Sequence, residues 1–251
     1  SRMIAYDSDE HQRLWERYVL QSEPYEQRIA TKARELFKTQ QVAIAQSVRS
    51  ERRKRDIADL ADDPFDKPKW IRRFREEMYP VLLDVGKEAA QRAIEELALT
   101  TAFNVVDPNI SSAMRGQAQR FAQEVNDTTW DALRKSLKDG IEAGESVDDL
   151  AGRVEGIMAD RIRSSGTTIA RTETTRASTT GTHAGWKASG VVSHVQWLAA
   201  LDERTRPEHV EAHGQTVELG DDFQVGGCSG PGPGEINCAS QSVNCRCTTI
   251  A

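Results

Sequence analysis

Apolar residues recur every three to four positions through most of the first 160 residues, the mark of amphipathic helices rather than strands. Ile29, Ala33, Leu36, Phe37, Ile44 and Val48 share one face, and Pro24 stands where a helix would begin, because the first turn has no use for the amide that proline lacks. The run DDPFDKPK at 62–69 breaks this pattern and predicts a turn or hinge. Beyond it Trp70, Phe74, Met78, Val81, Leu82, Val85, Ala89, Ala93 and Leu97 form a second stripe, with Pro80 inside it. NVVDPNISS at 104–112 reads as a loop, and Met114, Ala118, Phe121, Val125 and Leu133 as a third helix. Ser146 followed by Asp149 reads as the capped start of a short helix bearing Val147, Leu150, Val154 and Ile157.

The pattern then changes. Residues 164–190 keep helical spacing at Ile169, Glu173, Arg176, Thr180 and Ala184, yet are rich in threonine, whose branched side chain loses rotamer freedom in a helix. Gly190 predicts its stop. VVSHVQWLA alternates Val191, Val195 and Trp197 on one side, which predicts a strand. TVEL predicts another short strand, and GGCSGPGPGE a flexible Gly/Pro excursion. The expected fold class is α+β: a mainly helical N-terminal two-thirds with long helices, then a small α+β unit with a short antiparallel sheet and a loop-rich, cysteine-containing tail. The expected domains are a helical region, 1–145, with a hinge near 62–69, and a C-terminal unit, 146–251.

Length and charge narrow the function. The 251 residues suffice for a real core, and no apolar run approaches the roughly 20 residues of a membrane span. The opening SRMIAYDSDE lacks an apolar signal core, so export by a signal peptide is not expected. Of the formal net charge of −6, the stretch from Leu201 onward carries −5, with eight acids against three bases. The rest is close to neutral, without the basic face of a general nucleic-acid binder. The local exception is RSERRKR at 49–55, where Arg52, Arg53, Lys54 and Arg55 read as a solvated helix surface or as a contact to DNA or a partner.

All four cysteines fall in the last 24 residues, and Cys245 and Cys247 are separated by one arginine. That spacing suits two thiolates converging on one metal. A structural zinc takes four Cys or His ligands, and His209, His213, Cys245 and Cys247 make a consistent set, with Cys228 or Cys238 able to replace His213. The alternative for Cys228 and Cys238 is a disulfide, which a reducing cytoplasm disfavours. Arg171, Glu173, Arg176, Asp202 and Arg204 read as a structural polar network, with Glu173 and Arg176 paired three residues apart and Asp202 with Arg204 capping a turn and reaching Glu173. The sharper alternative is a metal-dependent hydrolase with Glu173 as general base beside a zinc-bound water.

Three stretches in order, IARTET at 169–174, WLAALDERTRPEHVEAHG at 197–214 and NCRC at 244–247, resemble the phage Mu F-like minor head proteins, the head-morphogenesis family of tailed phages. The resemblance covers roughly 110–250. It implies a structural virion component without catalytic residues, acting in head morphogenesis and in genome packaging or delivery. The implied partners are portal protein, major capsid or scaffold protein and packaged DNA, with no membrane. The implied location is the capsid interior or the portal's neighbourhood, with the host cytoplasm during assembly. Ser242 and Val243 stand where many members read histidine-proline, and Arg206 and His209 where others carry cysteines; a guanidinium does not ligate metal, so a family-style site here needs another ligand. The long N-terminal helices are expected to dock on portal or capsid, leaving a folded C-terminal unit when residues 1–60 are removed.

Overall fold

The helical periodicity is realised in three long helices, α1 (Ser8–Ser50), α2 (Lys67–Glu96) and α3 (Pro108–Glu142). This is a computed structural model, which describes residues 8–50, 66–97 and 108–251. Shorter helices α4 (Val147–Asp160) and α5 (Gly166–Ser189) follow, joined by a π-helical turn at Arg161–Ser165. The remainder is β1 (His194–Leu198), α6 (Pro207–Ala212), β2 (Thr216–Glu218), β3 (Phe223–Val225), β4 (Cys228–Gly230), α7 (Ala239–Ser242) and β5 (Thr248–Ile250). The architecture is therefore α+β, as expected.

Local chemistry explains the boundaries. Ser146 caps α4 through a capping box with Asp149, and Gly190 ends α5 at φ +70°, a conformation that costs glycine least. Pro24 does not begin a helix, because α1 runs through it. The carbonyl left without an amide there is that of Leu20, a residue 71% exposed, where water can take the place of the missing donor. Pro108 begins α3 inside the segment read as a loop, since proline fits the first turn. Of the expected hinge at 62–69, residues 62–65 lie outside the described residues. Asp66 adopts φ +48°, and its carboxylate accepts from the Lys69 amide at the start of α2.

By internal contacts the chain forms two compact units, Ser1–Ile29, Val81–Met114 and Thr168–Ala251 in one, Ala30–Pro80 and Arg115–Thr167 in the other. This division differs from the one at 145/146, because α1, α2 and α3 each supply a part to both units. The second unit is helical, around Phe37, Phe74 and Phe121, with ring centroids 5.6 and 6.1 Å apart. All three rings are fully buried, each worth about 1.5–3 kcal/mol. The Gln40 amide donates to Asn126 Oδ1 at 2.9 Å inside this core.

The first unit holds both sheets. β1 is central in an antiparallel sheet ordered β2-β1-β5, with Val195 opposite Val217 and Trp197 opposite Thr249. Val195 and Trp197 face the core as predicted, whereas Val191 lies outside the strand and is 63% exposed. β3 and β4 form a hairpin whose two turn residues, Gly226 and Gly227, both have positive φ, as a tight primed turn demands. The Gly/Pro stretch is not a free excursion. Thr179 Oγ1 donates to Pro233 O at 3.0 Å, and Arg176 Nε to Gly234 O at 2.9 Å. A Cβ on Gly232 would meet Thr179 Cγ2 at 2.7 Å.

The threonines of α5 explain themselves here. Thr172, Thr175 and Thr179 are buried, and where the tail crosses the helix their hydroxyls serve its backbone polar groups. Small residues also let α5 meet α2 closely: a Cβ on Gly181 would lie 2.2 Å from Gly86 O, and one on Gly185 2.4 Å from Ala90 O.

Candidate metal centre

His209 rides on α6, which begins at Pro207 and ends at Ala212. Cys245 and Cys247 follow Asn244, whose φ of +58° turns the chain and whose amide donates to Thr172 Oγ1 at 2.9 Å. Thr175 Oγ1 holds the Cys245 carbonyl at 3.0 Å, and Trp15 Nε1 donates to Arg246 O at 2.9 Å. Anchored on both sides, the loop directs its two sulfurs at His209. Nδ1 of His209 is 3.3 Å from Cys247 Sγ and 3.7 Å from Cys245 Sγ. The three donor atoms lie within 4.8 Å of one another, and all three residues are buried.

The surroundings favour one anionic sulfur, that of Cys245. The Cys247 amide donates to Cys245 Sγ at 3.4 Å. Cys245 is held well below the usual thiol range, first by its hydrogen bond from Cys247 and then by His209, against burial. Cys247 is pushed well above it, first by the same bond to Cys245 and then by burial, while the Ala200 amide and Trp197 indole act in the opposite sense. The two thiols thus share a proton that a metal would displace. The Trp197 indole nitrogen is buried and has no hydrogen-bond partner among the described residues, so its N–H is left to serve an anionic group. Its ring also stands edge-on to His209, 5.5 Å between centroids. On the far side of the imidazole, Nε2 is 3.1 Å from Gln241 Oε1. With Gln241 accepting from Nε2–H, the Nδ1 lone pair is left for a metal. The residues present therefore fit a thiophilic cation.

Three of the four expected ligands come together, and His213 does not. Residues four apart share a face only while the helix continues, and α6 stops one residue short of His213. His213 Nδ1 instead accepts from the Ala199 amide at 3.2 Å, and its Nε2 meets His11 Nδ1 at 3.1 Å. Burial and His11 lower its pKa. Cys228 and Cys238 are joined in a disulfide, Cα–Cα 6.1 Å. All five histidines and four cysteines of the chain lie among the described residues, so the cluster has three such ligands.

The expected polar network is split. Glu173 and Arg176 do pair, Nη1 to Oε1 at 2.9 Å, with both side chains buried. Arg171 turns instead to Glu26 and Asn244. Asp202 accepts from the Arg204 amide at 3.0 Å, as a turn cap should, but its carboxylate binds Arg246 rather than reaching Glu173. Arg246 foremost lowers the Asp202 pKa to about 2. Arg204 lines a cavity of about 310 Å³ beside Trp15, Arg171 and Cys245. Arg52, Arg53, Lys54 and Arg55 lie outside the described residues. Trp15, Thr175, Trp197 and Gln241 were not foreseen as site residues, and only the excess of threonine in α5 hinted at one of them.

The family described as Phage Mu protein F like protein matches residues 131–250. Over 121 residues the chain is 32% identical to the minor head protein GP7 of Bacillus phage SPP1, covering 47% of this chain and 39% of that protein. Over 85 residues it is 41% identical to the NAD(+)–arginine ADP-ribosyltransferase EFV of Enterococcus faecalis, covering 33% of this chain and 18% of that protein. The matches span less than half the length of either relative. No solved structure matches the chain.

Proposed function

We propose, for a chain whose residues 131–250 belong to the Phage Mu protein F like family, the role of a structural minor head protein in the head of a tailed bacteriophage. The observation that carries this reading is the 32% identity over 121 residues to a protein named as a minor head protein. The family match runs from α3 to β5 and so includes the whole of the His209–Cys245–Cys247 cluster. Head morphogenesis is the process in which we place it, with contacts to portal and to major capsid or scaffold protein, and a part in genome packaging or delivery. Assembly in the host cytoplasm and a place in the capsid interior or near the portal follow from that role. Arg52, Arg53, Lys54 and Arg55 are the proposed contact to packaged DNA or a partner. No described helix is long and apolar enough to cross a membrane.

Zinc is the proposed occupant of the cluster, because two thiolates and an imidazole are its preferred donors. When bound, it would cross-link the tail to α6 and add its binding energy to folding. The hydrolase reading is not favoured: the Glu173 carboxylate is engaged by the buried Arg176 guanidinium, which suits a structural pair better than a base. The transferase named above shares 18% of its length with this chain, too little to carry its activity over.

The test is biochemical fractionation of assembled heads. The chain should co-purify with capsid and portal at a fixed copy number in washed particles. Its absence from particles, or a copy number that varies with washing, would overturn the assignment.

A further inference from the structure

Gln241 is the only group on the imidazole edge opposite the sulfurs for which a hydrogen bond is described, and it is 7% exposed. Its placement depends on little. It sits in α7, a helix of four residues, far too short to hold itself. Two walls confine its side chain. One is α7 itself, where Cys238 occupies the N-cap position and its carbonyl accepts from the Gln241 backbone N–H at 3.0 Å, which fixes where the side chain leaves the helix. The other is the β3–β4 turn, where a Cβ on Gly226 would come within 2.6 Å of Gln241 Nε2. Cys228 begins β4 directly after that turn. The Cys228–Cys238 bond therefore fastens the two walls to each other, 6.1 Å between their Cα atoms.

We propose that Gln241 is a positioning residue for a metal on His209, Cys245 and Cys247, and that the Cys228–Cys238 disulfide sets it, so that oxidation of one cysteine pair strengthens metal binding by the other. The inference rests on the metal reading above. The disulfide lies on the Nε2 side of His209, through Gln241, whereas both sulfur ligands lie on the Nδ1 side. It acts through the imidazole rather than as a source of ligands. Formation of the bond removes two protons and two electrons from the thiols, taken up by an oxidant such as glutathione disulfide, which leaves as two thiols. Coupling is reciprocal, so a bound metal makes the disulfide harder to reduce by the same free energy.

The experiment uses the full chain, with the disulfide formed in a glutathione buffer. Zinc affinity is read by competition with a chromophoric chelator, and geometry from the absorption of the cobalt(II) form. Gln241→Leu should weaken zinc binding by about 10–100-fold and shift the cobalt bands, whereas Gln241→Glu, which keeps an acceptor, should restore most of both. The double variant Cys228→Ser/Cys238→Ser should weaken zinc by about fivefold or more, and Gln241→Leu should matter less in that background. Zinc should lower the reduction potential of the wild-type pair by about 20 mV for a fivefold coupling. Failure of the oxidised wild type to bind either metal would remove the metal reading and this inference with it. Binding of equal strength in wild type and the double serine variant would overturn the coupling alone, and equal effects of leucine and glutamate would overturn the role of Gln241.

Discussion

Thr175 Oγ1 donates a 3.0 Å hydrogen bond to the carbonyl of Cys245, 70 residues later in the chain. A helix side chain thus takes the place of a strand partner for the cysteine loop. Thr175→Val keeps the shape and leaves a buried carbonyl unpaired, which costs about 1–3 kcal/mol. Denaturant unfolding should show that loss, and the cobalt form should show broadened bands as the loop loosens.

The close approach of α5 to α2 gives two glycine substitutions of opposite sign. A Cβ at Gly181 would sit 2.2 Å from the Gly86 carbonyl oxygen, whereas one at Gly152 would meet nothing within 4 Å. Gly152→Ala in α4 should stabilise by roughly 0.5–1 kcal/mol through helix propensity. Gly181→Ala carries the same propensity gain but must push backbone aside, and should lose about 1–3 kcal/mol net. Thermal melts of the two variants side by side decide this.

His183 bonds Thr249 at 2.9 Å and is held neutral, its pKa lowered by burial from 6.5 to about 4. Below pH 6.5 the unfolded chain binds a proton that the fold refuses, so stability should fall between about pH 6.5 and 4 and then level off. The loss should be about 2–5 kcal/mol. His183→Gln should flatten that slope in unfolding curves recorded with chelator present, which removes any metal-linked protons.

The Glu173–Arg176 pair is buried on both sides. Arg176→Met would take the guanidinium away from a buried carboxylate and also release Gly234 O, at about 3–5 kcal/mol. Combined with Glu173→Leu the loss should be smaller. A double variant no more stable than Arg176→Met would show that the pair's charge is not what matters.

The long helices and the α+β class were legible because apolar periodicity encodes them directly. So were Cys245, Cys247 and His209, whose chemistry narrows what they can do. His213 misled because its spacing is meaningful only within a helix, and α6 stops at Ala212, where Gly214 at φ +81° is the local stop signal that the spacing argument passed over. Gln241 was invisible for a related reason: its role comes from a tertiary approach to Gly226, which leaves no periodic trace. The same holds for the N-terminus. Residues 1–60 read as a docking arm, yet Tyr25 and Ile29 are buried in the unit that holds both sheets, and Arg92 donates to Tyr25 Oη at 2.7 Å. Removing residues 1–29 should therefore unfold that unit, seen as loss of cooperative melting, rather than merely detach an arm.

The bond from Trp15 to the Arg246 carbonyl spans 231 residues, and that separation is also an interval of time. At typical synthesis rates of about 5–20 residues per second, roughly ten to fifty seconds pass between the two partners leaving the ribosome. During that interval α1 can be helical but its first turns have no tail to close upon. Contacts of such long range are also the slowest to find. This unit therefore cannot fold from its N-terminus forward, and its completion marks the arrival of the cysteine loop.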